Sequence, residues 1–184
     1  MSIFIDFNES IRQIWLKKTL TALPAGIRLL DAGAGELKNR QYCGNLTYVS
    51  QDFCQYKGAV GALDEGLQTG GMLILTAPFA PNVHMAPYHF CSGFSKYWYE
   101  HHLAQRGFDI KELTANGDWY ALLRQEIIRL GGLERSRGNW AWPLAYAYAF
   151  LGVLCFKLRS NNCGDDLACL GWQCVAVKSK VIPA

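Results

Sequence analysis

Ile27-Arg28-Leu29-Leu30-Asp31-Ala32-Gly33-Ala34-Gly35-Glu36 is a short apolar run that stops at an acid and passes at once into glycines. That pattern predicts a buried strand running into a tight turn. The Gly33-x-Gly35 spacing lets the backbone approach a ligand closely, and the helix expected next, over residues 36–42, points its N-terminus at the same place. A second strand is expected over residues 45–50, ending at Gln51-Asp52. An acid there, about 20 positions after the turn, suits hydrogen bonding to ribose hydroxyls. A dinucleotide site wants a third glycine at position 38, where this chain has Lys38, so the pattern speaks for a nucleoside ligand more than for NAD. Taken without its context, Gly-x-Gly also fits an ordinary tight turn.

Outward from this stretch the chain alternates between strand and helix patterns. Ile11, Ile14, Trp15 and Leu20 share one face of an amphipathic helix over residues 8–23, which Pro24 and Gly26 end. Residues 71–78 are the clearest strand, opened by a glycine pair and stopped by Pro78. A helix over 95–105 with Gly107 as its cap, a strand over 108–113, a helix over 119–130 stopped by Gly131-Gly132, a long apolar helix over 140–158 and a last strand over 171–178 complete the reading. The alternation predicts an α/β fold with a largely parallel sheet. It fits a single domain over residues 1–184, with 1–24 as an N-terminal helix and 133–160 as an apolar helical insertion before the last strand.

The ordered motifs resemble class I S-adenosylmethionine-dependent methyltransferases. Asp31-Ala32-Gly33-Ala34-Gly35 is similar to the family's first motif, Tyr48-Val49-Ser50-Gln51-Asp52 to its second strand, and residues 70–79 to its glycine-led fifth strand. Similarity continues through Pro87-Tyr88-His89-Phe90 and the last strand. The resemblance implies a Rossmann-like three-layer sandwich whose last strand is antiparallel, and S-adenosylmethionine as cofactor. It implies that Gly33, Ala34 and Gly35 line the methionine moiety, that Asp31 holds the amino group, and that Gln51 and Asp52 serve the nucleoside, Asp52 through the ribose hydroxyls. Many members have glycine where this chain has Glu36; an acid is favourable there if a helix begins at that residue.

One departure is larger. The family places about 65–80 residues, including its third and fourth strands, where only 18 residues separate Asp52 from Gly71. A reduced sheet of about five or six strands is then expected, in which the 71–78 strand either pairs directly with the 27–30 strand or leaves an edge open. The implied function is methyl transfer to an acceptor the sequence does not identify. The alternative is a non-catalytic, degenerate form of the fold acting as a binding or self-assembly module.

Composition narrows the rest. A chain of 184 residues with 51% hydrophobic and 18% charged residues is not disordered, and a net charge of +3 without like-charge runs indicates no nucleic acid. The seven cysteines are odd in number and lack metal-ligand spacing, so free, mostly buried thiols in a reducing, cytoplasmic setting are expected, with no metal. Residues 1–10 carry Asp6 and Glu9 and read as no signal peptide. His84, Tyr88 and His89, near the exit of the 71–78 strand, are the weak candidates for a general base or substrate contact, against a polar loop beside an aromatic helix that also carries Tyr97, Tyr99, His101 and His102. Trp140 to Phe156 is uncharged and flanked by Arg135, Arg137, Lys157 and Arg159, which fits a buried helix, peripheral membrane contact or a span. Self-association through an open sheet edge or apolar surface is expected.

Overall fold

The computed structural model of the chain describes residues 7–32, 37–51, 67–79, 92–158 and 164–179. They form helix α1 (Phe7–Thr21), strand β1 (Arg28–Ala32), a 3-10 helix (Lys38–Tyr42), strands β2 (Thr47–Gln51) and β3 (Met72–Pro78), helix α2 (Lys96–Gln105), strand β4 (Phe108–Asn116), helices α3 (Trp119–Ser136) and α4 (Trp142–Lys157), and strand β5 (Gly171–Lys178). The architecture is α/β, and the last strand is antiparallel to both its neighbours. The strands form two ladders, a parallel β1-β2 pair and an antiparallel β3-β5-β4 sheet. β3 pairs with β5 over seven positions, from Met72↔Val177 to Pro78↔Gly171. Two compact units follow. One holds β3 onward with the first turn of α1, and the other holds the rest of α1, β1, the 3-10 helix and β2.

In the larger unit β5 is central and buried over six successive residues, Gly171 to Ala176. Side chains alternate across a strand, so Trp172, Cys174 and Ala176 share one face, where they meet Tyr99 and Leu103 of α2 and Phe108 of β4. Tyr99 and Leu103 are 0% exposed. Gly107, left-handed at φ 73°, ends α2 and turns the chain into β4. β4 runs three residues beyond the expected strand and contains a bulge: Ile110 pairs with Ala176 but Glu112 with Val175. The extra residue, Lys111, shifts the alternation by one. Phe108 and Ile110 before it and Leu113 and Ala115 after it therefore all reach the same core.

On the opposite face of β5 a chain of side-chain amides ties four elements together, β5, β4, α1 and α3. The Gln173 Nε2 donates to Asn116 Oδ1 at 3.2 Å, and Asn116 Nδ2 donates to the Asn8 carbonyl at 3.1 Å and to its Oδ1 at 2.5 Å. The Asn8 backbone N–H donates to Gln125 Oε1 of α3 at 3.2 Å. Buried amides are retained only when paired in this way. The start of α1 is thereby pinned to the sheet and to α3.

α3 does not stop at Gly131-Gly132 but continues to Ser136. Gly131 is instead a packing site: a Cβ there would lie 2.7 Å from Cδ1 of the Tyr146 ring on α4. The glycine that ends the segment is Gly138, left-handed at φ 69°. Asp118 caps the helix start, accepting from the Ala121 N–H at 2.7 Å. α4 packs on α3 through a small-residue stripe, with Gly152 against Ile127 and Ala149 buried. Full burial of this helix, one of its expected readings, does not occur: its outer side lies open, because one neighbouring helix covers only one stripe of it.

Of the four cysteines among the described residues, Cys43, Cys169 and Cys174 are buried and Cys155 is exposed, all as free thiols. Burial pushes Cys169 and Cys174 up to about 11 from an ordinary 9.0. As pH rises past 9 the unfolded chain loses these protons first, the folded state binds more protons, and stability falls between pH 9 and 11. The urea midpoint of the wild type is expected to fall across that range more steeply than that of a Cys169→Ala/Cys174→Ala variant. Equal slopes for the two proteins contradict this.

Candidate functional site

The candidate site is the pair of carboxyl ends of β1 and β2, the position at which open α/β sheets generally bind ligands. The two strands pair in parallel over five positions, Arg28↔Thr47, Leu29↔Tyr48, Leu30↔Val49, Asp31↔Ser50 and Ala32↔Gln51. Both strands therefore end at the same level. The next residues in the sequence are Gly33 on one side and Asp52 on the other.

Asp31 is half-buried on β1. Tyr48, opposite Leu29, is its diagonal neighbour on the same sheet face. The Tyr48 hydroxyl donates to Asp31 Oδ2 at 2.6 Å. Burial, and then the Asp31 carboxylate itself, raise the Tyr48 hydroxyl well above the ordinary tyrosine range, so it remains a donor. Burial, and again the Asp31 charge, also push the Cys43 thiol up. The Cys43 Sγ–H donates to the Asn39 carbonyl at 3.4 Å, across the end of the 3-10 helix.

Asp31 stands out as a site residue from its motif, whereas Tyr48 and Cys43 do not. The signal for Tyr48 was available: two parallel strands ending in register put the residue four before Asp52 diagonally across from Asp31. Leu30, 49% exposed, and its partner Val49 face the other way, so β1 is covered on one face and not on both as its apolar run suggested. The helix after the turn also differs. It is a five-residue 3-10 helix beginning at Lys38, preceded by Leu37 in the left-handed region at φ 57°. A single short turn of this kind has little macrodipole, and the expected gain from an acid at the start of a helix at Glu36 does not apply.

Gly33, Ala34, Gly35, Asp52, His84, Tyr88 and His89 lie outside the described residues, and of Gln51 the backbone alone is described. Beyond the exit of β3, Phe94, Trp98, Tyr99, His102 and His101 form a run of touching rings along α2. Tyr99 points into the core while Tyr97 is 65% exposed. His102 stacks beside Trp98 at 4.8 Å and its Nδ1 lies 3.5 Å from Arg106 Nη1. α2 packs Tyr99, Leu103 and Trp98 against the sheet core. Among the described residues no three His, Cys, Asp or Glu side chains gather as a metal site.

No family model matches this chain, and no curated protein is similar to it at a significant level. Among solved structures it is similar to YjhP from E. coli, at 13% identity and a TM-score of 0.46, covering 100% of this chain and 99% of that one. It is similar to the [4+2]-cyclase SpnF, at 14% identity and a TM-score of 0.48, covering 92% of this chain and 80% of that one. A third is a SAM-dependent methyltransferase from Thiobacillus denitrificans solved in complex with S-adenosyl-L-homocysteine, at 14% identity and a TM-score of 0.42, covering 97% of this chain and 99% of that one.

Proposed function

We propose that this chain binds S-adenosylmethionine at the carboxyl ends of β1 and β2 and transfers its methyl group to an acceptor. The observation that carries the reading is the parallel register Ala32↔Gln51, from whose shared end the sequence continues into Gly33-Ala34-Gly35 on one strand and Asp52 on the other. The residues present fit the group. A carboxylate offers about four lone-pair sites, and the Tyr48 bond uses one of them, so Asp31 retains capacity for the cofactor's ammonium. Tyr48 fixes the carboxylate in one orientation. Asp52 takes the ribose hydroxyls, and the small residues Gly33, Ala34 and Gly35 allow close backbone approach.

When bound, the cofactor supplies the chemistry, because its sulfonium carries an already activated methyl group. The protein's task is alignment of the acceptor, together with acceptance of its proton where it has one. His84, Tyr88 and His89 are the proposed sources of that base.

Calorimetric titration with S-adenosylmethionine tests the reading. Binding by the wild type is expected, weakened at least tenfold by Asp31→Ala, since loss of a charge-assisted hydrogen bond costs ~1.5–3 kcal/mol. Asp52→Ala is expected to weaken it to a similar degree. Absence of binding by the folded wild type overturns the reading in favour of a non-catalytic module. Binding that neither substitution alters overturns the assignment of the site.

A further inference from the structure

α4 carries no charged residue from Trp142 to Phe156. Its inner stripe is occupied: Tyr146 lies against Gly131, Gly152 against Ile127, and Phe156 beside Tyr120 at 5.8 Å. On the other side Leu144, Tyr148, Phe150, Leu151, Leu154 and Leu158 are each more than half exposed, and Trp140 just ahead of the helix is 84% exposed. A continuous apolar surface of this kind marks an interaction site.

The surrounding charge says what fits it. Arg135, Arg137 and Lys157 are exposed at the two ends of the apolar side, and no acidic residue occurs between Arg135 and Asp165. Arg135 extends over the Trp142 ring at 5.6 Å, a cation at the border of the apolar face. A second copy docked on this face, in either helix direction, would set cationic ends against cationic ends. An anionic lipid surface complements both features, taking aromatic and leucine side chains below its headgroups and cations among them. Spanning is not available to this helix: 16 residues reach about 24 Å, against about 30 Å of hydrocarbon. No helix among the described residues is long and apolar enough to cross a membrane.

We propose that the outer side of α4, with Arg135, Arg137 and Lys157, seats in the plane of an anionic membrane surface. The test is co-flotation of the purified chain with vesicles of phosphatidylcholine, alone or mixed with phosphatidylglycerol, at low and high salt. Flotation with the mixed vesicles, reduced by salt, is expected, and Arg137→Glu and Lys157→Glu should each weaken it about fivefold or more. Leu151→Ser/Leu154→Ser should abolish it while leaving the thermal melt unchanged, because both side chains are already exposed. Absence of flotation with mixed vesicles, or equal flotation with both kinds, overturns the proposal. So does a chain that ignores vesicles but forms a dimer dissociated by the double serine variant, because a second copy then covers the face.

Discussion

Gly93→Ala is expected to destabilise the β3-β5-β4 unit by about 3–5 kcal/mol, enough to unfold a marginal domain. Gly93 sits at φ 108°, where a Cβ is strained, and an added Cβ would lie 2.2 Å from the Phe79 carbonyl oxygen and 2.4 Å from that of Pro78. These are backbone atoms that cannot move freely. The Phe79 N–H donates to the Leu170 carbonyl at 3.2 Å, and the Phe94 N–H to the Pro78 carbonyl at 3.1 Å. Backbone strain of ~1–3 kcal/mol and overpacking of ~1–3 kcal/mol therefore act together. Gly70 separates the two effects. Its φ of +83° is similarly unfavourable, but nothing lies within 4 Å of an added Cβ, so Gly70→Ala should cost only the conformational part, about 1 kcal/mol. Urea unfolding of both variants at unchanged m-value measures the difference. Equal costs at the two glycines would show that the close approach at Gly93 contributes nothing.

Asn116→Ala is expected to cost about 2–4 kcal/mol through a different mechanism. The substitution removes no large apolar volume. It leaves the buried Gln173 amide without its acceptor and the Asn8 carbonyl and Oδ1 without their donor. Gln173 is 3% exposed, so water does not readily replace the lost partner. Unsatisfied buried groups cost ~1–3 kcal/mol each. Because the amides form one chain, the effects should not add: Asn116→Ala/Gln173→Ala should cost clearly less than the sum of the two single substitutions. Additive costs in a urea-unfolding cycle would break the case for a coupled network.

The two substitutions also act at points where distant segments are tied together. Gly93 and Phe94 fix the returning end of the stretch that holds His84, Tyr88 and His89, whose departing end is Phe79. Asn116 fixes the first turn of α1 to the sheet. Neither residue carries a chemical motif, and nothing in its immediate sequence marks it. Both derive their weight from atoms far away along the chain.

Local pattern was enough for most of the strands and for the α/β class. The glycine-led run ending at Pro78 marked β3, the apolar run from Gly171 marked β5, and the alternation of strands with helices marked the α/β class, because backbone propensity and side-chain period act over a few neighbouring residues. The Asp31-Ala32-Gly33-Ala34-Gly35 turn and Asp52 likewise stood out on spacing alone, and Asp31 does lie at the carboxyl end of a parallel strand. Partners were not legible in the same way. The division of the strands into two ladders, the Lys111 bulge that keeps Leu113 in the core, and the bond from Tyr48 to Asp31 each depend on register between distant segments. Gly131 read as a stop because a glycine's local cost is visible in sequence, whereas the Tyr146 ring that requires it arrives from the next helix. α4 shows the same limit from the other direction: its sequence specified an apolar helix with cationic ends, and packing on a single neighbour determined which half of that apolar surface stays exposed.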